Sequence, residues 1–181
     1  MRQVLNRHPD SRCDAAIKIE ADAARSRAGL LELRYVVTGE IGALRLPPVA
    51  PPARTDELWR STCFEAFLRA APDTAYFEFN FAPTTQWAAY RFNGYRTGMS
   101  AASEIGAPRV VVRSDAARYE FQVSLDLDRL PDLPGGAIWQ VGLSAVIEET
   151  SGRKSYWALA HPSGKPDFHH SDCFALEVPT A

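Results

Sequence analysis

The stretch "YFEFNFAPTTQWAAYRF", residues 76–92, decides the fold. Its first six residues alternate between a phenylalanine and a side chain that carries a polar group. Because successive side chains of a strand point to opposite faces of the sheet, this alternation predicts a half-buried β-strand. The ring set is Phe77, Phe79 and Phe81, and the polar set is Tyr76, Glu78 and Asn80. The rings predict a hydrophobic core on one side, and the purpose of the polar side becomes the main functional question.

Length and charge limit the possible answers. The chain has 181 residues, of which 46% are hydrophobic, so residues 1–181 can form a single domain with its own core. Twenty Lys and Arg residues against 22 Asp and Glu residues give a formal charge of -2. No cluster of basic residues could follow a phosphate backbone, and we therefore expect no nucleic-acid partner.

The start of the sequence and its cysteines predict a cellular location. The segment "MRQVLNRHPDSRCD" has no apolar stretch after its positive charges, and nothing in the chain reaches the ~18 apolar residues of a membrane span. We expect a cytoplasmic protein with no membrane partner. Cys13, Cys63 and Cys173 are widely spaced and form no CxxC pair, so we expect reduced and mostly buried thiols.

Most other segments share the period of two. They are separated by turn-rich pieces and lack the alternation of strands with helices, which predicts an all-β, antiparallel β-sandwich of about ten strands, immunoglobulin-like or jelly-roll-like. The proline-rich piece "LPPVAPPARTDE" predicts a long surface loop. The predicted core combines Phe64, Leu68, Phe77, Phe79, Phe81, Leu143 and Ile147.

The opposite face of the same strands has an unusual composition. Acidic and aromatic side chains dominate it, and such residues suit a sugar, whose C–H faces stack on rings while its hydroxyls need fixed acceptors. A solvated sheet face, partly covered by the proline-rich loop, is the alternative. The predicted outer face carries Glu65, Glu78, Asn80, Glu148 and an outward Trp157, with a shallow trough over Gly142 and Ser144.

At this point the chain resembles a known family. "DELWRSTCFEAFL" followed by "YFEFNFAP" is similar to the central hairpin of family 9 carbohydrate-binding modules and DOMON domains, in which a tryptophan precedes an acidic strand. From "RHPDSRCD" to "SYWALAHPSGKPDFHHSDCFALEV", the chain resembles a bacterial DOMON-like group. That group is named after its association with UDP-N-acetylenolpyruvoylglucosamine reductase.

The resemblance implies a β-sandwich with a concave, ligand-facing sheet that binds a sugar in some relatives and haem in others. It implies no activity for this branch. Relatives that act outside the cell carry export signals, which this sequence lacks. The family's sugar-clamping aromatic residues match Trp87 or Trp157 here. The other matching positions are Trp59, Arg60, Glu65, Glu78 and Asn80.

Several candidate residues also have structural interpretations. Trp59 and Trp87 can be packing residues, and Arg60 can form an ion pair with Glu65 or Glu78 that is worth only ~0.2–1 kcal/mol if exposed. Tyr90 can line the trough or pack between strands.

The histidines near the end of the chain raise the question of a metal or haem site. His161, His169 and His170 with Asp167 and Cys173 fit no recognised zinc spacing. Haem needs an axial ligand, for which Met99 with His161 or His169 is the candidate pair, although "GYRTGMSAAS" is too polar to wall a porphyrin. We therefore expect no resident cofactor.

The sequence favours a non-catalytic module that binds a small polar ligand, for which a sugar or a sugar-containing metabolite fits best. Three alternatives stay open. A haem-binding redox module is one, and a glycan-acting enzyme that uses Glu65 and Glu78 is another. The third is a domain whose acidic face meets a protein partner. No GxSxG, HExxH or glycine-rich phosphate loop supports catalysis.

Overall fold

The computed structural model describes residues 2–27, 29–128 and 130–180. Within these residues it contains twelve β-strands and three single-turn 3₁₀ helices, at Ile41–Ala43, Leu58–Arg60 and Ser171–Cys173. No helix in this part of the chain is long and apolar enough to cross a membrane. The strands are β1 (Gln3–Arg7), β2 (Ile17–Arg27), β3 (Leu30–Gly39), β4 (Cys63–Ala70), β5 (Tyr76–Phe81), β6 (Trp87–Phe92), β7 (Ser100–Ala101), β8 (Arg109–Ser114), β9 (Arg118–Asp126), β10 (Trp139–Glu148), β11 (Lys154–Ala158) and β12 (Leu176–Val178).

All strand pairs are antiparallel, and they follow one continuous path. The front sheet has the order β7-β6-β5-β4-β10-β11, with β12 also paired to β10, and the back sheet has the order β2-β3-β9-β8. Strand β1 joins the two sheets because it pairs with β11 on one side and with β2 on the other. The predicted all-β antiparallel sandwich is confirmed, and the short strands β7 and β12 account for the excess over ten.

The space between the sheets holds the main core. Phe77, Phe79 and Phe81 of β5 are fully buried in it, as their alternation predicts. Phe64 of β4 lies 5.1 Å, between ring centroids, from Phe121 of β9 in the back sheet. The ring set of β5 therefore fixes which face of the front sheet is internal, and the polar set of β5 faces outward.

The outward orientation predicted for Trp157 is wrong. Trp157 pairs with Ala145 of β10, and partners in register share a face, so its indole enters the main core. The buried Ser155 hydroxyl accepts the indole N–H at 2.9 Å, which satisfies the only polar group of the ring. Trp87 is also internal, because it pairs with Phe81. Neither tryptophan can offer a stacking plane on the outer face.

The proline-rich loop is held against the edge of the front sheet. The Arg54 guanidinium lies 4.2 Å from the Trp87 ring centroid and donates hydrogen bonds to the carbonyls of Ala102 and Ile105. The end of the loop then reaches the outer face, where the Tyr90 hydroxyl donates to Asp56 at 2.7 Å. The path of the loop places the 3₁₀ turn Leu58–Arg60 beside the polar side chains on the outer face of β5.

Candidate ligand-binding site on the outer sheet face

A second apolar cluster covers much of the outer face of the front sheet. The backbone at Cys173 crosses close to β10 at Gly142. Only a glycine allows this approach, since a Cβ at position 142 would lie 2.9 Å from the Cys173 carbonyl oxygen. This crossing fills the trough that was predicted over Gly142. The cluster comprises Leu58, Cys63, Phe67, Tyr76, Ala82, Ala88, Tyr90, Phe92, Val146, Ala158, Phe168 and Phe174.

One pocket remains open within this cover, with a volume of about 400 Å³. Strands β4, β5 and β10 supply residues at its base, and β6 and β11 supply aromatic residues. The turn Leu58–Arg60, the turn after β6 and the segment after β11 complete the lining. The lining residues are Trp59, Glu65, Glu78, Phe92, Arg96, Met99, Val146, Tyr156, Pro166, Phe168 and His169.

Two glutamates lie side by side in the pocket. Glu65 pairs in register with Asn80, and Glu78 pairs with Phe67, which places both carboxyl groups on the outer face. Glu65 is 3% exposed and Glu78 is 6% exposed. The Asn80 amide donates to Glu78 Oε1 at 2.8 Å, whereas Glu65 Oε1 and Asn80 Oδ1 have no hydrogen-bond partner among the described residues. The arrangement predicted for these three residues is present.

Burial raises the pKa of both carboxyl groups. Desolvation raises the pKa of Glu65 well above its usual range, and the nearby charge of Glu78 raises it further. Desolvation also raises the pKa of Glu78, to about 6, while the Asn80 hydrogen bond and the Arg96 charge oppose the rise. Both carboxyl groups therefore hold a proton more tightly than an exposed glutamate does, and Glu78 is mainly ionised near pH 7.

His169 lies beside Glu78 but is not a cationic partner for it. Burial and the nearby Arg96 charge lower the pKa of His169 to about 4, although Asp167 opposes the shift. The Tyr76 hydroxyl accepts from the Arg96 backbone N–H at 3.2 Å and lies 2.7 Å from His169 Nδ1. When the hydroxyl donates to Nδ1, the imidazole proton sits on Nε2, which is 3.8 Å from Glu78 Oε2.

Arg96 also lines the pocket, but its charge is already paired. Its Nη2 lies 2.7 Å from Asp167 Oδ1, and the Tyr95 hydroxyl donates to the other oxygen of the same carboxylate. Among the described residues, neither Glu65 nor Glu78 has a Lys or Arg within ion-pair distance. The base of the pocket is thus acidic and lacks a bound counter-charge.

Trp59 provides the aromatic plane of the site. It is 37% exposed and meets the buried Tyr90 ring edge to face, with 6.1 Å between ring centroids. Tyr90 supports Trp59 from below and does not itself line the pocket. Of the three tryptophans proposed from the sequence, Trp59 is the one that reaches the outer pocket.

The remaining predicted site residues lie elsewhere. Arg60 is exposed and pairs with Glu57 at 2.7 Å, so its predicted pairing with Glu65 or Glu78 is wrong. Glu148 lies at the end of β10, where its carboxylate is 3.4 Å from the Arg45 guanidinium. His161 Nε2 lies 2.8 Å from the Asn6 carbonyl oxygen, and His161 does not line the pocket. The structure therefore keeps Trp59, Glu65 and Glu78 together, with Asn80 beneath them.

Sequence reasoning missed the residues that loops bring to the site. Arg96 follows β6, and Phe168 and His169 follow β11, far from Glu78 along the chain. Tyr76 and Phe92 also fall in the outer cluster, where their rings stack with centroids 4.7 Å apart. The alternation of β5 did place Tyr76 with Glu78, which was the one available signal.

The structure also shows where the residues considered for a metal or haem lie. Among residues 2–27, 29–128 and 130–180, no group of three or more His, Cys, Asp or Glu side chains could hold a metal ion. Met99 and His169 both line the pocket. The Tyr76 hydroxyl lies 2.7 Å from His169 Nδ1, and Glu78 Oε2 lies 3.8 Å from His169 Nε2, so both imidazole nitrogens already face other side chains.

Comparison with known proteins places this fold among carbohydrate-binding modules. No protein-family model matches the chain, and no curated protein matches it. A family 9 carbohydrate-binding module from Caldicellulosiruptor kristjanssonii, solved with glucose, matches with a TM-score of 0.58 at 10% identity, over 98% of this chain and 84% of that one. A module of the same family and organism, solved with cellotriose, has a TM-score of 0.51 at 12% identity, over 90% and 75% of the two chains.

A third structure extends the comparison to another organism. It is a provisionally assigned carbohydrate-binding protein from Bacteroides uniformis, with a TM-score of 0.63 at 12% identity, over 96% of this chain and 83% of that one. At these identities the matches establish the fold. The chain has the fold of a family 9 carbohydrate-binding module.

Proposed function

We propose that this chain is a non-catalytic carbohydrate-binding module and that its outer pocket holds the sugar. One observation carries the proposal: the buried Glu65 carboxyl, with an oxygen that lacks a partner among the described residues, lies in a pocket lined by the half-exposed indole of Trp59. Buried polar atoms are normally hydrogen-bonded, so an unpartnered one in an open pocket suits a ligand. The fold shared with modules solved with glucose and cellotriose supports the same function.

The chemistry of the lining suits a sugar ring. The Trp59 indole offers a flat apolar surface for the C–H face of a pyranose, and Phe92 and Tyr156 add further aromatic surface. The Glu78 carboxylate accepts hydroxyl protons strongly, and the unpartnered Oε1 of Glu65 offers a second acceptor. A pocket of about 400 Å³ falls in the size range of small-ligand sites.

Calorimetry with glucose and cellotriose tests this function. We expect Trp59→Ala to weaken sugar binding at least tenfold while the melting temperature stays within about 2 °C, because the indole is partly exposed and contributes little to the core. Ile138→Ala, which also removes an exposed apolar side chain but outside the pocket, should bind as the wild type does. Equal sugar affinity in the wild type and in Trp59→Ala would show that the outer pocket is not the sugar-binding site.

A glycan-acting enzyme is the second candidate, and the two buried glutamates that line one pocket favour it. Two neighbouring carboxyl groups, of which Glu65 has a pKa raised well above its usual range, resemble the acid and carboxylate that glycoside hydrolysis requires. In that case aryl glycosides should be cleaved, and Glu65→Gln should abolish the activity. If the protein binds sugars and cleaves none of them, the non-catalytic binding module is the function.

Three finer points belong to the same proposal. We propose that the chain is a divergent DOMON-like module and that residues 1–181 act as one domain. We also propose a cytoplasmic location, because Cys63 and Cys173 are buried free thiols. Cell fractionation tests the location, and recovery of the protein outside the cytoplasm would refute it.

A further inference from the structure

We propose that the sugar bound in the outer pocket carries a protonated amine, as glucosamine does, and that its ammonium group binds between Glu65 and Glu78. This inference rests on the proposed function and names its ligand class. The sugar ring would stack on Trp59, and its ammonium group would lie at the acidic base of the pocket.

The two pocket glutamates have no Lys or Arg partner among the described residues, and this is the first observation that favours an amine. Glu65 and Glu78 are both buried, and the cations near them are engaged or neutral: Arg96 binds Asp167, and His169 is uncharged. Burying a carboxylate without a paired cation is costly. A ligand that brings its own positive charge would remove this cost, whereas a neutral sugar would leave it in place.

The back sheet contains a buried carboxylate that is paired with cations. Glu120 of β9 is also buried, but Arg34 approaches one of its oxygens at 2.8 Å and Arg118 approaches the other at 2.9 Å. The hydrogen bond from Arg118 is the main reason that the pKa of Glu120 falls to about 2. Two arginines satisfy Glu120, while no Lys or Arg of the described chain forms an ion pair with the pocket glutamates.

The walls of the pocket also suit a cation. Trp59, Phe92, Tyr156 and Phe168 surround the acidic base, and aromatic faces attract an ammonium group through their quadrupoles. The unpartnered Oε1 of Glu65 provides an acceptor for one N–H, and Glu78 provides the charge. Aromatic walls around a carboxylate pair therefore fit an amine better than a hydroxyl.

Titration calorimetry at low ionic strength tests the inference with three sugars of the same ring shape. At pH 7 we expect glucosamine to bind at least tenfold more tightly than glucose or N-acetylglucosamine, because only glucosamine is cationic. Raising the salt concentration should weaken glucosamine binding and leave glucose binding unchanged. Equal affinity for N-acetylglucosamine and glucosamine would overturn the inference.

Matched variants assign the effect to the pocket. Glu78→Gln should reduce the preference for glucosamine over glucose to less than threefold, and Glu65→Gln provides a second variant of the same kind. Glu177→Gln makes the same change at an exposed site on β12 and should keep the full preference. Retention of the preference in both pocket variants would contradict the inference.

The pH dependence gives an independent readout. Groups near the glutamates are Cys63 on β4, Tyr76 on β5 and Tyr90 on β6, with Arg96, Asp167 and His169 from the loops. Between pH 5 and 7, the ionisation of Glu78 should strengthen glucosamine binding, and the bound cation should drive proton release from the two carboxyl groups, whose pKa is raised by burial. The binding enthalpy should therefore depend on the ionisation enthalpy of the buffer, and independence of the buffer together with a flat pH profile would count against the inference.

Failure of this inference can be separated from failure of the proposed function. If glucose binds and glucosamine binds no better, the sugar module stands and the amine preference is wrong. If neither these three sugars nor cellotriose binds, both are wrong. Cyclohexylamine serves as the last probe: affinity equal to that of glucosamine would mean that the site recognises an amine without a sugar, which also overturns the inference.

Discussion

At the residue scale, the two pocket glutamates lower the stability of the fold at neutral pH. A carboxyl group whose pKa is raised on folding favours the folded state only while it holds its proton. For Glu78 the favourable contribution is complete below its unfolded pKa near 4.5 and is lost as pH rises through about 6. A residue that costs stability at the pH of the cell is typical of a functional site.

Replacement of Glu78 by glutamine should therefore stabilise the protein near pH 7.5. The gain should be about 1–2 kcal/mol, given that a pKa shift of one unit corresponds to about 1.4 kcal/mol and that the glutamine amide oxygen still accepts the Asn80 hydrogen bond. At pH 4, where Glu78 is protonated, the variant and the wild type should unfold at the same denaturant concentration. Urea unfolding at both pH values provides the measurement.

Glu120→Gln serves as the control of opposite sign. The pKa of Glu120 is lowered on folding, so its contribution is present above the unfolded pKa and is lost only as pH falls toward about 2. Its replacement should destabilise the protein at pH 7.5. A loss of stability in Glu78→Gln at pH 7.5 would instead make Glu78 part of a structural network.

The residue scale also shows how much of the site the sequence could predict. Strand alternation was sufficient for Glu65, Glu78 and Asn80, because orientation within a strand is a local property. Arg96 and His169 reach the site through loops whose path depends on contacts with distant strands. Their side chains carry no periodic signal, so no pattern in the sequence could place them beside Glu78.

At the element scale, β5 determines which face of the front sheet is internal. Phe79 lies at the centre of its ring set and is fully buried in the main core. We expect Phe79→Ala to lower the free energy of unfolding by about 3–5 kcal/mol through lost burial and the cavity left behind. Equilibrium denaturation tests this, and a change below about 0.5 kcal/mol, typical of a surface position, would refute the assignment of the internal face.

In strand β11, alternation alone does not predict which side chains face the core. Its two faces carry Tyr156 and Trp157, which are both large and aromatic, so periodicity does not distinguish the inner face from the outer one. The register with β10 decides, because Ala145 is internal and Val146 is external. A serine beside the tryptophan, Ser155, makes the inward orientation possible by accepting the indole N–H.

At the scale of the whole molecule, β1 makes the two sheets interdependent. It pairs with β2 through three register partners and with β11 through two, so the front and back sheets share one strand and one core. We expect a single unfolding transition with the same midpoint by far-UV circular dichroism and by tryptophan fluorescence. Two separated transitions would show that the sheets unfold independently and would contradict the one-domain proposal.

The sequence predicts the class of the fold, an antiparallel sandwich, but it does not predict the order of the strands. The spacing of short alternating segments was enough for an antiparallel sandwich, since each strand and turn has a local signature. The order of strands depends on pairings across long sequence distances, such as Asn6 of β1 with Ala158 of β11. Such pairings follow from the global packing of the two sheets, and a single sequence does not encode them locally.

The location of the sugar is the central claim, and the indole N–H signals of the four tryptophans test it most directly. Trp59 lines the outer pocket, whereas Trp87, Trp139 and Trp157 are buried in the main core. In a ¹H–¹⁵N NMR titration with glucosamine or cellotriose, we predict that the Trp59 indole signal shifts and saturates while the three core indole signals stay in place. A saturable interaction that leaves the Trp59 signal unmoved would contradict the account.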